Sequence, residues 1–350
     1  MRILYGVTGE GMGHAMRSRV MAEHLRSRGH EVKLVASARA HGYLARWFPD
    51  VHRIPGFAMT YREGAVARAR TVLSLGRSVR PAMRETIALY RRAISGFSPD
   101  VCVTDFDSFT HVFGKLFDRP VVSIDHQHVI DRCEHAPGVK SRLPRDFRLT
   151  KVFVRAKLPG CAHYVVTSFY FPPPKARCRE RTTLVGPILR PEVTALAPER
   201  GEHVLVYQTG QATAELVAIL RAVPEQRFVI YARSSEPRTS GNVTVRAFDE
   251  RAFLDDLATA RSVIANGGYT LMSEALYLGK PVLSVPLRHQ GEQELNAAYL
   301  AELGLGAVVR RLDVETLRRF VRGSEITQQR VAAGNEQATA TIDKLLQEVT

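Results

Sequence analysis

The sequence predicts an α/β protein built as two doubly wound halves, each a twisted parallel sheet covered by helices, the two facing a central cleft. Three observations carry this. Short apolar runs alternate with helical patterns along most of the chain. A segment rich in proline and glycine, TLVGPILRPEVTALAPERGE (183–202), divides the alternation into two series. At 350 residues the chain is longer than one ordinary core organises.

The elements follow in order. RILYGV (2–7) reads as a buried strand. HAMRSRVMAEHLRSRG (14–29) reads as a helix with Met16, Val20, Met21 and Leu25 on one stripe and Gly29 as its stop. EVKLVAS (31–37) completes a β-loop-α-β unit, which requires parallel strands. The pattern recurs at 100–105, in a helix over about 107–117, and at 120–125 and 163–168. Residues 64–95 read as helical and 145–159 as a basic amphipathic helix, while FPPPKARCRE (171–180) breaks regular structure. After the linker come strands at 203–209, 227–232, 243–248, 262–268 and 281–287, with helices near 212–221, 251–260 and 269–279. Residues 1–188 are expected to form the first domain and 200–330 the second, and the helix at about 330–350 packs back on the first. The strand ends of both halves then face the cleft.

Composition narrows the class. Hydrophobic residues make up 45% and charged residues 24%, as in a soluble globular protein. No apolar run reaches the roughly 20 residues that span a bilayer, and the opening run, broken by glycines and His14, is not a secretory signal. Cys102, Cys133, Cys161 and Cys178 form no CxxC pair and read as reduced thiols of a cytoplasmic protein. The net charge is +14, and two stretches hold most of it. Residues 62–92 carry eight arginines against Glu63 and Glu85, and 132–157 carry eight Lys/Arg against Glu134 and Asp146. Such stretches suit an anionic membrane surface or a phosphorylated acceptor; solvated helix faces are the plainer reading. No nucleic-acid signature accompanies them, so nucleic acid is not expected as a partner.

Two stretches carry chemistry. VTGEGMGHAM (7–16) places Gly9, Gly11, Gly13 and then His14 between the first strand and helix. No register gives GxGxxG, and the second strand ends in Ser37 where a dinucleotide fold wants an acid, so a nicotinamide site is not indicated. A flat glycine surface at a helix N-terminus remains, with His14 in the first turn as a proton acceptor. In NGGYTLMSEALYLGKPVLSVPLRHQGEQELNA (266–297), Gly267-Gly268 precede a helix whose free N–H groups suit a diphosphate. Glu274, one turn on, has two oxygens for two ribose hydroxyls, and Glu292-Gln293 lie in a loop suited to sugar hydroxyls.

These residues resemble GT-B glycosyltransferases: GGYTLMSEALYLGKPVLSVP…EQELNA is similar to the donor signature of the family 28 N-acetylglucosaminyltransferases and the family 1 UDP-glycosyltransferases. Gly9-Glu10-Gly11-Met12-Gly13-His14 matches the glycine-rich loop and histidine at the start of both. The resemblance implies the GT-B fold, with the nucleotide-sugar in the C-terminal Rossmann-like domain and the acceptor in the N-terminal one. It implies that Gly267, Gly268 and Thr270 bind the diphosphate, Glu274 the ribose and Glu292 and Gln293 the sugar, with the base near Ala247-Phe248. Asn266 stands where family 1 has a histidine, and Glu292 where family 1 has aspartate and family 28 glutamine. By the same resemblance Asp105, or failing it Asp107, orients His14. Asp105-Phe106-Asp107 also spells the DxD metal grip of the other large glycosyltransferase fold, but in the wrong half, and no metal is expected. SIDHQHVID (123–131) places Asp125, His126 and His128 in the acceptor half, as acceptor contacts together with Gly11 and Gly13.

The expected activity is therefore inverting, metal-independent sugar transfer from a nucleotide-diphosphate-sugar, UDP first among the nucleotides, to an acceptor hydroxyl that is lipid-linked or anionic. His14 acts as base, and no cofactor is needed beyond the donor. The expected location is the cytoplasm, with peripheral attachment to the inner membrane face through the basic stretches. Two rivals share the fold: a nucleotide-sugar 2-epimerase and a sugar-nucleotide-binding protein without catalysis.

Overall fold

The structure is a computed structural model that describes residues 1–54, 61–62, 65–66, 94–208, 213–232, 237–323 and 330–349. The first series comprises β1 (Arg2–Val7), α1 (Met12–Ser27), β2 (Glu31–Ser37), α2 (Ala38–Leu44), β3 (His52–Ile54) and the two-residue pair β4 (Tyr61–Arg62) and β5 (Ala65–Val66). It continues with β6 (Val101–Asp105), α3 (Ser108–Leu116), β7 (Val121–Asp125), α4 (Val129–Arg132), α5 (Pro137–Arg142), α6 (Phe147–Lys157), β8 (His163–Thr167) and β9 (Thr182–Val185). A short α7 (Pro191–Thr194) crosses to the second series. That series runs β10 (His203–Tyr207), α8 (Thr213–Arg221), β11 (Arg227–Ala232), β12 (Arg238–Ser240), β13 (Val243–Ala247), α9 (Glu250–Thr259), β14 (Ser262–Ala265), α10 (Tyr269–Tyr277), β15 (Val282–Ser284), α11 (Gly291–Glu302), β16 (Gly306–Val308) and α12 (Val314–Gly323). The last helix is α13 (Asn335–Glu348).

The first sheet has the order β3-β2-β1-β6-β7-β8-β9 and the second β12-β13-β11-β10-β14-β15-β16. Within these two sheets every pairing is parallel except β12 with β13 at one edge. In each sheet the chain starts in the middle, winds one way, then returns to wind the other. A crevice opens where the direction reverses, beyond the strand ends. In the first sheet this lies between β1 and β6, where Val7 pairs with Asp105; in the second, between β10 and β14, where Tyr207 pairs with Ala265.

Both faces of the central strands are covered, which is why they read as unbroken apolar runs. Ile3, Tyr5 and Val7 pack under α1, α2 and α13, while Leu4 points to the other face. Ala338, Ile342, Leu345 and Leu346 of α13 belong to that same first-half core. A second cluster joins the halves, running from Val35, Cys102 and Tyr164 to Leu205, Tyr269 and Tyr299. At its centre Tyr170 stacks on Tyr299 with centroids 3.8 Å apart, and His126 on Tyr269 at 3.9 Å.

Several expectations are corrected. Residues 183–185, read as the start of the linker, belong to Thr182–Val185, the seventh strand of the first sheet. Residues 171–180 contain most of a 3-10 helix, Ala176–Arg181. Helix α1 begins at Met12, two residues early, because Gly11 supplies the extended backbone of the cap. Glu292 and Gln293 lie in the first turn of α11 rather than in a loop. Of the predicted helix 64–95, Ala65–Val66 instead form strand β5, and residues 67–93, with nearly all of the basic stretch 62–92, fall outside the described residues.

Candidate active site

Beyond β1 the chain runs through Gly9 and Gly11 into α1, so His14 stands in the helix's first turn at the mouth of the crevice. It is 7% exposed. Asp105 ends β6 on the other side of the crevice, fully buried, and its Oδ1 lies 2.7 Å from His14 Nδ1. Arg17 and Ser18, one turn further along α1, also reach this carboxylate. Arg17 Nε donates to Oδ2 at 2.7 Å and Nη2 to Oδ1 at 2.6 Å, and Ser18 Oγ donates to Oδ2 at 3.0 Å. A carboxylate has the acceptor capacity for all of these donors. Phe106, at φ 53°, bends the chain away immediately after Asp105. Asp107 caps α3, accepting from Thr110 N at 2.8 Å.

Gln127, in the loop after β7, bridges the two halves. Its Nε2 lies 3.2 Å from His14 Nε2 and donates to Glu292 Oε2 at 2.9 Å. An amide that donates to Nε2 places the ring proton on Nδ1, facing Asp105 Oδ1, with Arg17 Nη2 also 2.7 Å from that nitrogen; in this tautomer the Nε2 lone pair accepts a proton. Glu10 adjoins the same space; burial pushes its carboxyl up, and the charges of Lys157 and His14 oppose that shift. Burial in turn lowers Lys157, whose Nζ sits 4.1 Å above the Phe106 ring. Among the described residues no group of three or more His, Cys, Asp and Glu is arranged to hold a metal.

Across the cleft, Gly267 has φ 91°, and a Cβ there would meet Ser284 Oγ at 2.9 Å and Gln293 O at 3.0 Å, so the turn before α10 admits only glycine without strain. Gly268 caps α10 with no side-chain hydrogen bond, and nothing stands within 4 Å of where its Cβ would be. The first-turn N–H groups there have no capping side chain. Phe248 is half exposed beside Tyr207, Tyr231 and Phe253.

Other expected contacts are placed differently. Thr270 packs against Gly13, where an added Cβ would meet its Oγ1 at 2.0 Å. Gly13 is thus a point of close approach between the halves and not an open acceptor surface, while Gly11 stays clear, with His14 Cδ2 at 3.7 Å its nearest neighbour. Both oxygens of Glu274 are occupied: Arg190 Nε donates to Oε1 at 2.9 Å and Nη2 to Oε2 at 3.0 Å. Burial pushes this carboxyl up and Arg190 opposes the shift. Arg190 Nη1 also reaches Glu250, at 2.6 Å. Gln293 Oε1 accepts from Leu287 N, tying down the loop before α11. His126 is sealed between the halves, Nδ1 donating to Thr167 O and Nε2 2.7 Å from Asn296 Oδ1; burial lowers its pKa. Asp125 turns to His128 and Ser123. Neither Asp125 nor His126 is free to contact an acceptor.

Sequence reasoning found His14 and Asp105 but missed Arg17, Ser18, Gln127 and Arg190. The spacing of Arg17 from His14, one turn on the same helix face, was the one available signal.

Two doubly wound sheets meeting at such a crevice form the GT-B fold. The family model for glycosyl transferase family 1 matches residues 1–323, and the chain belongs to that family. An uncharacterised glycosyltransferase of Methanosarcina mazei is 25% identical over 332 residues, covering 88% of this chain and 86% of that protein. A Bartonella tribocorum UDP-N-acetylglucosamine–N-acetylmuramyl-(pentapeptide) pyrophosphoryl-undecaprenol N-acetylglucosamine transferase is 24% identical over 327 residues, covering 86% and 79%. A Medicago truncatula protein solved with UDP-glucose superposes with a TM-score of 0.66 over 99% of this chain and 98% of that one, at 13% identity.

Proposed function

We propose that this glycosyltransferase inverts configuration and works without a metal, moving a sugar from a nucleotide-diphosphate-sugar, a UDP-sugar first, to an acceptor hydroxyl. The observation that carries the reading is the Gln127 bridge. It brings the His14–Asp105 pair of one half within one amide of Glu292 in the other.

His14 Nε2 takes the proton of the acceptor hydroxyl as that oxygen attacks the anomeric carbon. Asp105 at Nδ1 stabilises the imidazolium that forms. The bond from the anomeric carbon to the phosphate oxygen breaks on the opposite face, so configuration inverts, and the diphosphate departs with the electron pair. It is received by the α10 N-terminus around Gly267, Gly268 and Thr270, whose dipole and N–H groups offset its charge. Phe248 flanks the base, and Glu292 and Gln293 meet the sugar. Glu274 takes the ribose once Arg190 yields, keeping its hold on Glu250. Gly11 borders the acceptor's approach.

The acceptor is lipid-linked or anionic. The basic α6 supports this: Leu149 and Val152 are exposed on it between Arg148, Lys151 and Arg155. The similarity to the Bartonella tribocorum enzyme, named for a pyrophosphoryl-undecaprenol acceptor, points the same way. No helix among the described residues is long and apolar enough to cross a membrane, so attachment would be peripheral.

Glu10, set beside His14 and Glu292, keeps an epimerase as the second reading, since it adds an acid around the sugar. Substitution and product analysis separate the two. His14→Ala should lower transfer by about a hundredfold or more while calorimetry shows nucleotide binding retained. Wild-type turnover in that variant rules His14 out as base. An epimerised nucleotide-sugar formed from donor alone would establish the rival.

A further inference from the structure

A cavity of about 450 Å³ opens in the first half between α4, α6, the loop before β8 and the 3-10 helix Ala176–Arg181. His14, Asp105, Gln127 and Glu292 do not line it. We propose that it binds the phosphate group of a phosphate monoester, separately from the donor's diphosphate.

The buried part of the site is built around His128, which is 1% exposed. Its Nδ1 is 2.7 Å from Asp125 Oδ2, and its backbone N donates to Asp125 Oδ1 at 2.9 Å. Ser123 Oγ donates to the same carboxylate. Burial pushes the Asp125 carboxyl up, but the charge and hydrogen bonds of His128 outweigh it and hold Asp125 well below the usual carboxylate range. Phe106 and Tyr164 pack on the ring, with centroids at 5.6 and 4.6 Å. The side chain is therefore fixed, yet its Nε2 has no hydrogen-bond partner. A native fold rarely leaves a buried ring nitrogen so. A ligand that reaches Nε2 would give the ring its second partner, opposite Asp125.

The walls supply the charge. Arg132 lies 3.7 Å over the Tyr164 ring and donates through Nε to Thr182 Oγ1 at 2.7 Å, which presets its guanidinium. Arg155, Arg177 and Arg181 complete the lining, which also holds Asp131 and Glu180. Asp131 is engaged by Arg155 at 2.8 Å. Four arginines against two acids leave a surplus of two positive charges, which balances a phosphate monoester. Guanidinium forks match phosphate oxygens two at a time. The inference does not depend on the transfer reading.

The test is a titration of the full chain with inorganic phosphate and with glycerol 3-phosphate, in the presence of UDP so that the α10 terminus does not contribute. Co-sedimentation with phosphatidylcholine vesicles, with and without phosphatidic acid, runs in parallel. The comparison protein is Arg177→Ala/Arg181→Ala, both exposed positions where folding is not at stake. Saturable binding of the soluble phosphates, weakened about tenfold or more by the double substitution, supports the site and identifies a free monoester as ligand. Recruitment by phosphatidic acid alone, lost in the double variant, supports it with a lipid headgroup as the source. Binding that the substitutions leave unchanged, or no phosphate-dependent binding in either arm, overturns it.

Discussion

At the scale of single residues, one amide holds the two halves in register at the reacting point. Gln127 donates to Glu292 and contacts His14 Nε2. Gln127→Leu removes both hydrogen bonds while keeping the volume similar. Steady-state kinetics should show kcat lowered about tenfold, the scale of one hydrogen bond to a charged or reacting group, with nucleotide affinity little changed. Equal kcat would mean that Gln127 positions nothing. His135 provides a pH test of the fold. Burial pushes its pKa from 6.5 down to about 4, with Nδ1 2.9 Å from Tyr299 Oη. The unfolded chain thus takes up the proton first. The stability this neutral ring contributes is complete above about pH 6.5 and is lost as the pH falls towards 4. The loss is on the order of 3 kcal/mol, and urea unfolding should show it shallower in His135→Gln. Pairings of this kind were closed to sequence reading. Arg190 and Glu274 stand 84 positions apart, and nothing in either segment names the other. His14 and Asp105 were legible because each closes a strand or opens a helix at a point where the fold converges.

At the scale of elements, the fully covered strands announced themselves. Arg2–Val7 and Glu31–Ser37 match the expected limits at both ends, since a strand buried on both faces admits few polar residues. Thr182–Val185 escaped because prolines follow it closely and it is only four residues long. His52–Ile54 and Gly306–Val308, three residues each, carry too little pattern to be read. The last helix docks on the first half through backbone: an added Cβ on Gly334 would meet Gly186 carbon and oxygen atoms at 2.2 to 2.3 Å. Main chain cannot yield as a flexible side chain does. Gly334→Ala should therefore destabilise the protein by about 2 kcal/mol, visible as a lower thermal midpoint. An unchanged midpoint would mean that the junction shifts freely.

At the scale of the molecule, the joint core is as telling as the cleft. Tyr170 on Tyr299 and His126 on Tyr269 are contacts between halves, and aromatic pairs of this kind add about 1 kcal/mol beyond the area they bury. The two-part architecture was legible from the repeated strand–helix alternation; the intimacy of the junction was not, because Tyr170, Tyr269 and Tyr299 look like ordinary core residues. The proposed attachment to an anionic surface also belongs to this scale. Co-sedimentation with phosphatidylglycerol vesicles should fall as salt is raised, since exposed charges are screened beyond about 10 Å at 0.1 M. Equal sedimentation with neutral phosphatidylcholine vesicles would count against the basic face.

The placement of α13 has a consequence for how the chain comes into being. Its four buried apolar residues finish a core begun by β1, yet the ribosome makes them after the whole second sheet. The first half is therefore completed only after the second has been made. Until α13 has been made, the surface around Val165, Val185 and Ile188 stays bare, a span of time in which a nascent-chain chaperone would find its binding ground.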